Sequence, residues 1–145
     1  MKTGRFIGAV IAVWLVRTLI NGLYYGVYMS DTYQAMADRF PGVFREVVPA
    51  YILADLLFAA VFVWLWAKVA PTFAAGAAGG ATYGVVMWLV AEVITGIYLF
   101  YSFTFMTPGM WASSLAVQLV VYLLMGVVAA ALIKPGAMAA APAPA

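Results

Sequence analysis

Between Trp14 and Tyr28 the chain reads WLVRTLINGLYYGVY. This run belongs to a segment, residues 6–29, that is apolar enough to cross a bilayer, yet the segment carries Arg17 at its middle and Asn21 one helical turn further on. A cation at that depth in lipid is costly and has to be met by a partner on another membrane-crossing segment. The chain must therefore fold so that several apolar segments converge on one guanidinium.

Four such segments can be read: residues 6–29, 49–70, 74–103 and 109–133. The first holds 24 residues, about 36 Å at 1.5 Å per residue, enough for a hydrocarbon core of about 30 Å with some tilt. Lys2 and Arg5 ahead of an apolar run also suit a signal peptide, but no small-x-small cleavage pattern comes after it and the apolar run resumes beyond Arg17. An uncleaved helix is expected. Hydrophobic residues make up 68% of the chain and charged ones 8%, with a mean hydropathy of +1.06. Soluble domains carry about 25% charge. The expected fold is all-α, a bundle of four transmembrane helices over residues 1–136, followed by a disordered Ala/Pro tail at 137–145.

Each connection has its own chemistry. Residues 30–48 form the one extended polar stretch. Asp31 and Gln34 have capping-box spacing, Tyr33, Met36, Ala37 and Phe40 share a helical face, and Pro41-Gly42 breaks it. A second short apolar group, Phe44, Val47 and Val48, comes next. The expectation is an amphipathic segment lying in the membrane interface or resting on the bundle. Pro49 opens span two in a first-turn position, and Trp64, Trp66 and Lys68 suit its far interface. Thr107-Pro108 reads as an N-cap and first-turn proline for span four. Gly76, Gly80 and Gly84 recur every four residues, and Gly22 and Gly26 have the same spacing. Small-xxx-small patterns of this kind allow close helix packing.

A tandem repeat is also legible. WLVRTLINGLY and WLVAEVITGIY align at an offset of 74, with Trp, Leu, Val, Ile, Gly and Tyr identical. Two spans per repeat give halves of the same orientation related by an axis along the membrane normal. Spans one and three are then expected to face each other across that axis. Lys2, Arg5, Lys68 and Lys134 fall on one side of a four-span topology and Arg39 and Arg45 on the other, so both termini are expected in the cytoplasm.

The repeat sets Glu92 one position beyond the residue equivalent to Arg17, hence at similar depth, which makes Glu92 the expected partner. Asp55 lies nearer the outer end of span two and is the odd acid, expected to be protonated unless water or a cationic ligand meets it. Asn21 and Gln118 complete a buried polar network. Trp14, Tyr24, Trp88 and Tyr98 are candidates to line a pocket for a cationic or amphipathic molecule.

Some chemistry is poorly supported. The chain has no cysteine and no histidine, so thiol chemistry and the commonest metal and haem ligands are missing; no metal or cofactor is expected. No nucleophile-and-base pairing stands out, and a net charge of +2 does not suggest nucleic acid. Two functional classes remain. One is a non-enzymatic accessory or binding subunit of a membrane complex or homo-oligomer. The other is a small proton- or cation-coupled transporter. GLYYGVY and GIYLFYS, near the outer ends of spans one and three, give the chain a pattern that resembles small bacterial four-helix membrane families of uncharacterised function. That resemblance implies a bacterial inner-membrane location and no particular activity.

Overall fold

The computed structural model describes residues 3–42, 48–103 and 106–134. Among the described residues, four of five helices are long and apolar enough to span a membrane: α1 (Thr3–Tyr28), α3 (Val48–Thr72), α4 (Ala77–Ser102) and α5 (Pro108–Leu132). The fifth, α2 (Ser30–Arg39), joins α1 to the connection before α3. The chain is a multi-pass membrane protein built as an all-α four-helix bundle. The expected span limits agree with these helices to within a few residues. The Ala/Pro tail at 137–145 and the apolar pair Phe44 and Val47 lie outside the described residues.

The local chemistry at helix ends is only partly what the pattern suggests. Thr107 caps α5, its hydroxyl accepting from the Met110 N–H at 3.2 Å, with Pro108 in the first turn. The Asp31–Gln34 capping box does not form. The chain passes from α1 into α2 through Met29, whose N–H bonds back to the Tyr24 carbonyl, and Ser30 donates to the Val27 carbonyl instead. With Met29 as N-cap, Asp31 falls inside the first turn, where its charge still suits the helix N-terminus. No residue of α2 is buried.

Helix α5 is the hub. It packs closely on α4 and also on α1, while α1 packs on α3. The α4–α5 contact rests on glycine. A Cβ on Gly80 would overlap the Gly126 carbonyl, one on Gly84 the Tyr122 carbonyl, and one on Gly126 the Gly80 carbonyl. Close backbone approach of this kind is the usual means of association where lipid removes the hydrophobic drive between helices. The α3–α4 side is filled by rings instead. Tyr83 of α4 packs against Phe62 at 4.7 Å and Trp66 at 5.3 Å, and its hydroxyl donates to the Phe62 carbonyl.

This arrangement corrects three expectations. Gly22 and Gly26 have open space around them, and a Cβ on either would meet nothing, so neither packs on another helix of this chain. Gly76 precedes α4 with φ +75°, a conformation that favours glycine, and serves the turn rather than a helix contact. Direct packing of span one on span three is not among the principal helix contacts; span four joins them.

Two π-helical turns interrupt the spans, at Tyr24–Tyr28 in α1 and at Leu89–Val93 in α4. Each is closed by a bond from residue i+5, Met29 to Tyr24 and Ile94 to Leu89. Such an inserted residue rotates the downstream part of the helix by about 100° relative to an uninterrupted one. At the repeat offset of 74, the π turn of α4 corresponds to residues 15–19 of α1, which are ordinary α-helix. The two π turns therefore do not fall at equivalent positions of the expected repeat.

Candidate functional site

The three charged side chains deep in the spans, Arg17, Asp55 and Glu92, gather in one cluster. Arg17 donates from Nε to Asp55 Oδ1 at 2.7 Å, and its Nη1 lies 3.8 Å from Glu92 Oε1. Tyr122 of α5 donates to the same Glu92 oxygen at 3.0 Å. The guanidinium also lies 4.4 Å from the centre of the Phe58 ring, a cation–π contact one turn along α3 from Asp55. Arg17 thus draws partners from α3 and α4, and shares Glu92 with α5.

The nearer acid is Asp55, contrary to the ranking drawn from depth. Counted from the observed helix ends, the two Cα positions differ in depth by about 6 Å at 1.5 Å per residue, a gap an arginine side chain covers. Helix adjacency then decides, because α1 packs directly on α3. Glu92 is still within ion-pair range, so Asp55 is not left as an odd acid. The unbalanced charge belongs to the cluster as a whole, one guanidinium facing two carboxylates.

A second layer lies toward the α2 end. Gln118, buried on α5, donates to Asn21 Oδ1 at 2.8 Å and approaches the Tyr25 hydroxyl at 3.4 Å. The Tyr24 and Tyr25 hydroxyls meet Ser113 and Ser114 at 2.7 and 2.9 Å. Neighbouring residues on an α-helix point about 100° apart, so two adjacent tyrosines seldom reach one partner helix together. Here they sit at the start of the π turn, whose wider coil brings both hydroxyls to consecutive serines of α5. The two serines carry no charge, amide or motif that would mark them in the sequence.

Between these layers and α2 is a partly open cavity of about 170 Å³. Tyr24, Tyr25, Tyr33 and Trp111 supply aromatic walls, Met29, Met106 and Met110 supply thioethers, and Glu92 supplies a carboxylate. Burial, with the nearby Tyr25 and Tyr24 rings, pushes the Tyr33 phenol up to about 12, so it stays neutral at physiological pH.

Of the four aromatic residues expected around a pocket, only Tyr24 lines this cavity. Trp88 donates its indole N–H to the Leu115 carbonyl at 3.0 Å, a helix-packing role. Trp14 packs against the core with its indole nitrogen buried and unbonded. Tyr98 is 71% exposed on the outer face. Tyr98 misses the cavity because the α4 residues that line it, Glu92, Thr95, Gly96 and Leu99, sit at i, i+3, i+4 and i+7, whereas Tyr98 at i+6 points about 120° away.

No protein-family model, no characterised protein and no solved structure matches this chain.

Proposed function

We propose that the protein is a non-enzymatic accessory or binding subunit, working within a larger membrane complex or as a homo-oligomer, with the Arg17 cluster holding its spans in register. The observation that supports this most directly is the uncovered small-residue face of α1. Gly22 and Gly26 meet no side chain of this chain and are flanked by Leu19, Leu23 and Val27, each more than 60% exposed. A face of that composition suits a second helix approaching within the bilayer. Under this reading the chain sits in a bacterial inner membrane with both termini cytoplasmic, following its Lys and Arg distribution. Its two halves descend from a duplication that has diverged at the π turns.

The test is purification in mild detergent followed by native mass spectrometry, for the wild type and for a Gly22→Leu/Gly26→Leu variant. The wild type is expected to travel with a stoichiometric partner or a second copy, and the variant to lose it. A wild-type chain found alone as a monomer would remove this reading.

A second reading, a proton- or cation-coupled transporter, is favoured by one specific observation: Glu92 belongs both to the ion cluster and to the cavity wall. Asp55→Asn and Glu92→Gln, made separately and reconstituted in liposomes, test it. Transport requires that at least one of them alter pH-dependent flux of protons or an organic cation.

A further inference from the structure

We infer that the cavity bounded by Glu92, Tyr24, Tyr25, Tyr33 and Trp111 is a binding site for a small organic cation, a quaternary or tertiary ammonium bearing short alkyl groups. The inference takes its site from the second reading but does not depend on transport. Saturable binding without flux leaves it standing and removes the transporter, whereas proton flux without such binding does the reverse.

Charge points to a cation. One guanidinium opposes two carboxylates, and the tighter contact is with Asp55, at 2.7 Å against 3.8 Å for Glu92. The uncompensated negative charge therefore falls mainly on Glu92, where the low dielectric favours a further positive partner. Both contacts made by Glu92, from Tyr122 and from Arg17, use Oε1. Neither of these contacts engages Oε2.

The chemistry of the walls selects the kind of cation. Tyrosine and tryptophan rings attract a cation through their π faces, and methionine thioethers are soft and deformable. A hard metal ion asks for six or more oxygen ligands. Among the described residues no group of three or more His, Cys, Asp or Glu side chains gathers. An ammonium wrapped in alkyl groups needs only one carboxylate and apolar contact, which is what this cavity offers.

Size narrows the class further. The volume of about 170 Å³ exceeds the roughly 30 Å³ share of a water molecule but falls short of the roughly 300 Å³ at which drug-sized sites begin. The rings are also held in place in advance. The Tyr24 and Tyr25 hydroxyls are fixed by Ser113 and Ser114, and the two rings meet edge to face at 4.7 Å. A pre-set wall of this kind reduces the ordering cost of binding.

The experiment uses the full-length chain in nanodiscs and radiolabelled choline as the probe. Its uncharged isostere, with carbon in place of the quaternary nitrogen, is the competitor. Choline is expected to bind saturably and to resist displacement by the isostere. Glu92→Gln should weaken binding by about tenfold or more. Thr95→Phe, which fills the cavity from α4 and leaves every charged side chain of the ion cluster in place, should abolish binding while the melting temperature holds. If Glu92→Gln does not fold, Thr95→Phe decides the matter. The inference is overturned if folded wild type shows no saturable choline binding, if the isostere competes as well as choline, or if Thr95→Phe binds like wild type.

Discussion

Arg17 illustrates how much a single buried charge asks of its surroundings. Its guanidinium takes a carboxylate from α3, a second from α4, and an aromatic face from Phe58. Removing one member of a buried ion pair typically costs about 3–5 kcal/mol, because the other is left uncompensated. Arg17→Leu is therefore expected to lower the melting temperature in detergent more than Arg17→Leu combined with Asp55→Asn. Rescue by Asp55→Asn should exceed rescue by Glu92→Gln, since Asp55 makes the shorter contact. Equal melting temperatures for all three variants would show that the cluster contributes no coupling. Tyr25 offers a milder probe. Tyr25→Phe removes the bond to Ser114 and should cost about 0.5–1.5 kcal/mol, whereas Tyr98→Phe, on the exposed face, should cost nothing measurable in the same assay.

At the scale of the element, glycine and the π turn determine which faces meet. Gly84 and Gly126 lie where the α4 and α5 backbones touch, so Gly126→Leu should destabilise the bundle by at least the roughly 1–3 kcal/mol usual for overpacking. Gly22→Leu should leave the thermal stability of the isolated chain unchanged, because its Cβ enters open space. A large loss of stability from Gly22→Leu in the separated monomer would mean that α1 is packed differently. The sequence spacing is the same in both places, GxxxG-like in α1 and α4, yet only one of the two is used within the chain. Spacing marks a face as able to pack closely, while the neighbours alone decide whether anything arrives. The π turns are equally silent in the sequence. Nothing in LVAEV or YYGVY distinguishes an i+5 bond from an i+4 bond, and the rotation each introduces changes which face the rest of its helix presents.

For the molecule as a whole, four spans put the start of α1, the α3–α4 turn and the end of α5 at one end, and α2 at the other. The chain contains no cysteine, so single cysteines can be added without background. With Thr72→Cys and Asp38→Cys, a membrane-impermeant thiol reagent applied to intact cells should label Asp38→Cys alone. Labelling of Thr72→Cys alone would reverse the orientation, and labelling of both would contradict an odd number of crossings between them. The number and limits of the spans were legible because lipid imposes a length and an apolar composition on every crossing, and that demand is local to each segment. That Arg17, Asp55, Glu92, Asn21 and Gln118 need polar partners follows from the same demand; in the structure they meet as two groups, Arg17 with Asp55 and Glu92, and Asn21 with Gln118.

What the sequence determined by itself was therefore the solvent, the four crossings and the set of polar residues that had to converge, all consequences of the cost of polar groups in hydrocarbon. Only the tertiary structure decided that Arg17 takes Asp55 more closely than Glu92, that α5 is the hub, and that Tyr25, Tyr33 and Trp111 join Tyr24 around the cavity. Those outcomes depend on which helices are neighbours and on how each is rotated about its axis. A pattern of apolar residues that faces lipid on one side and protein on the other leaves both undetermined.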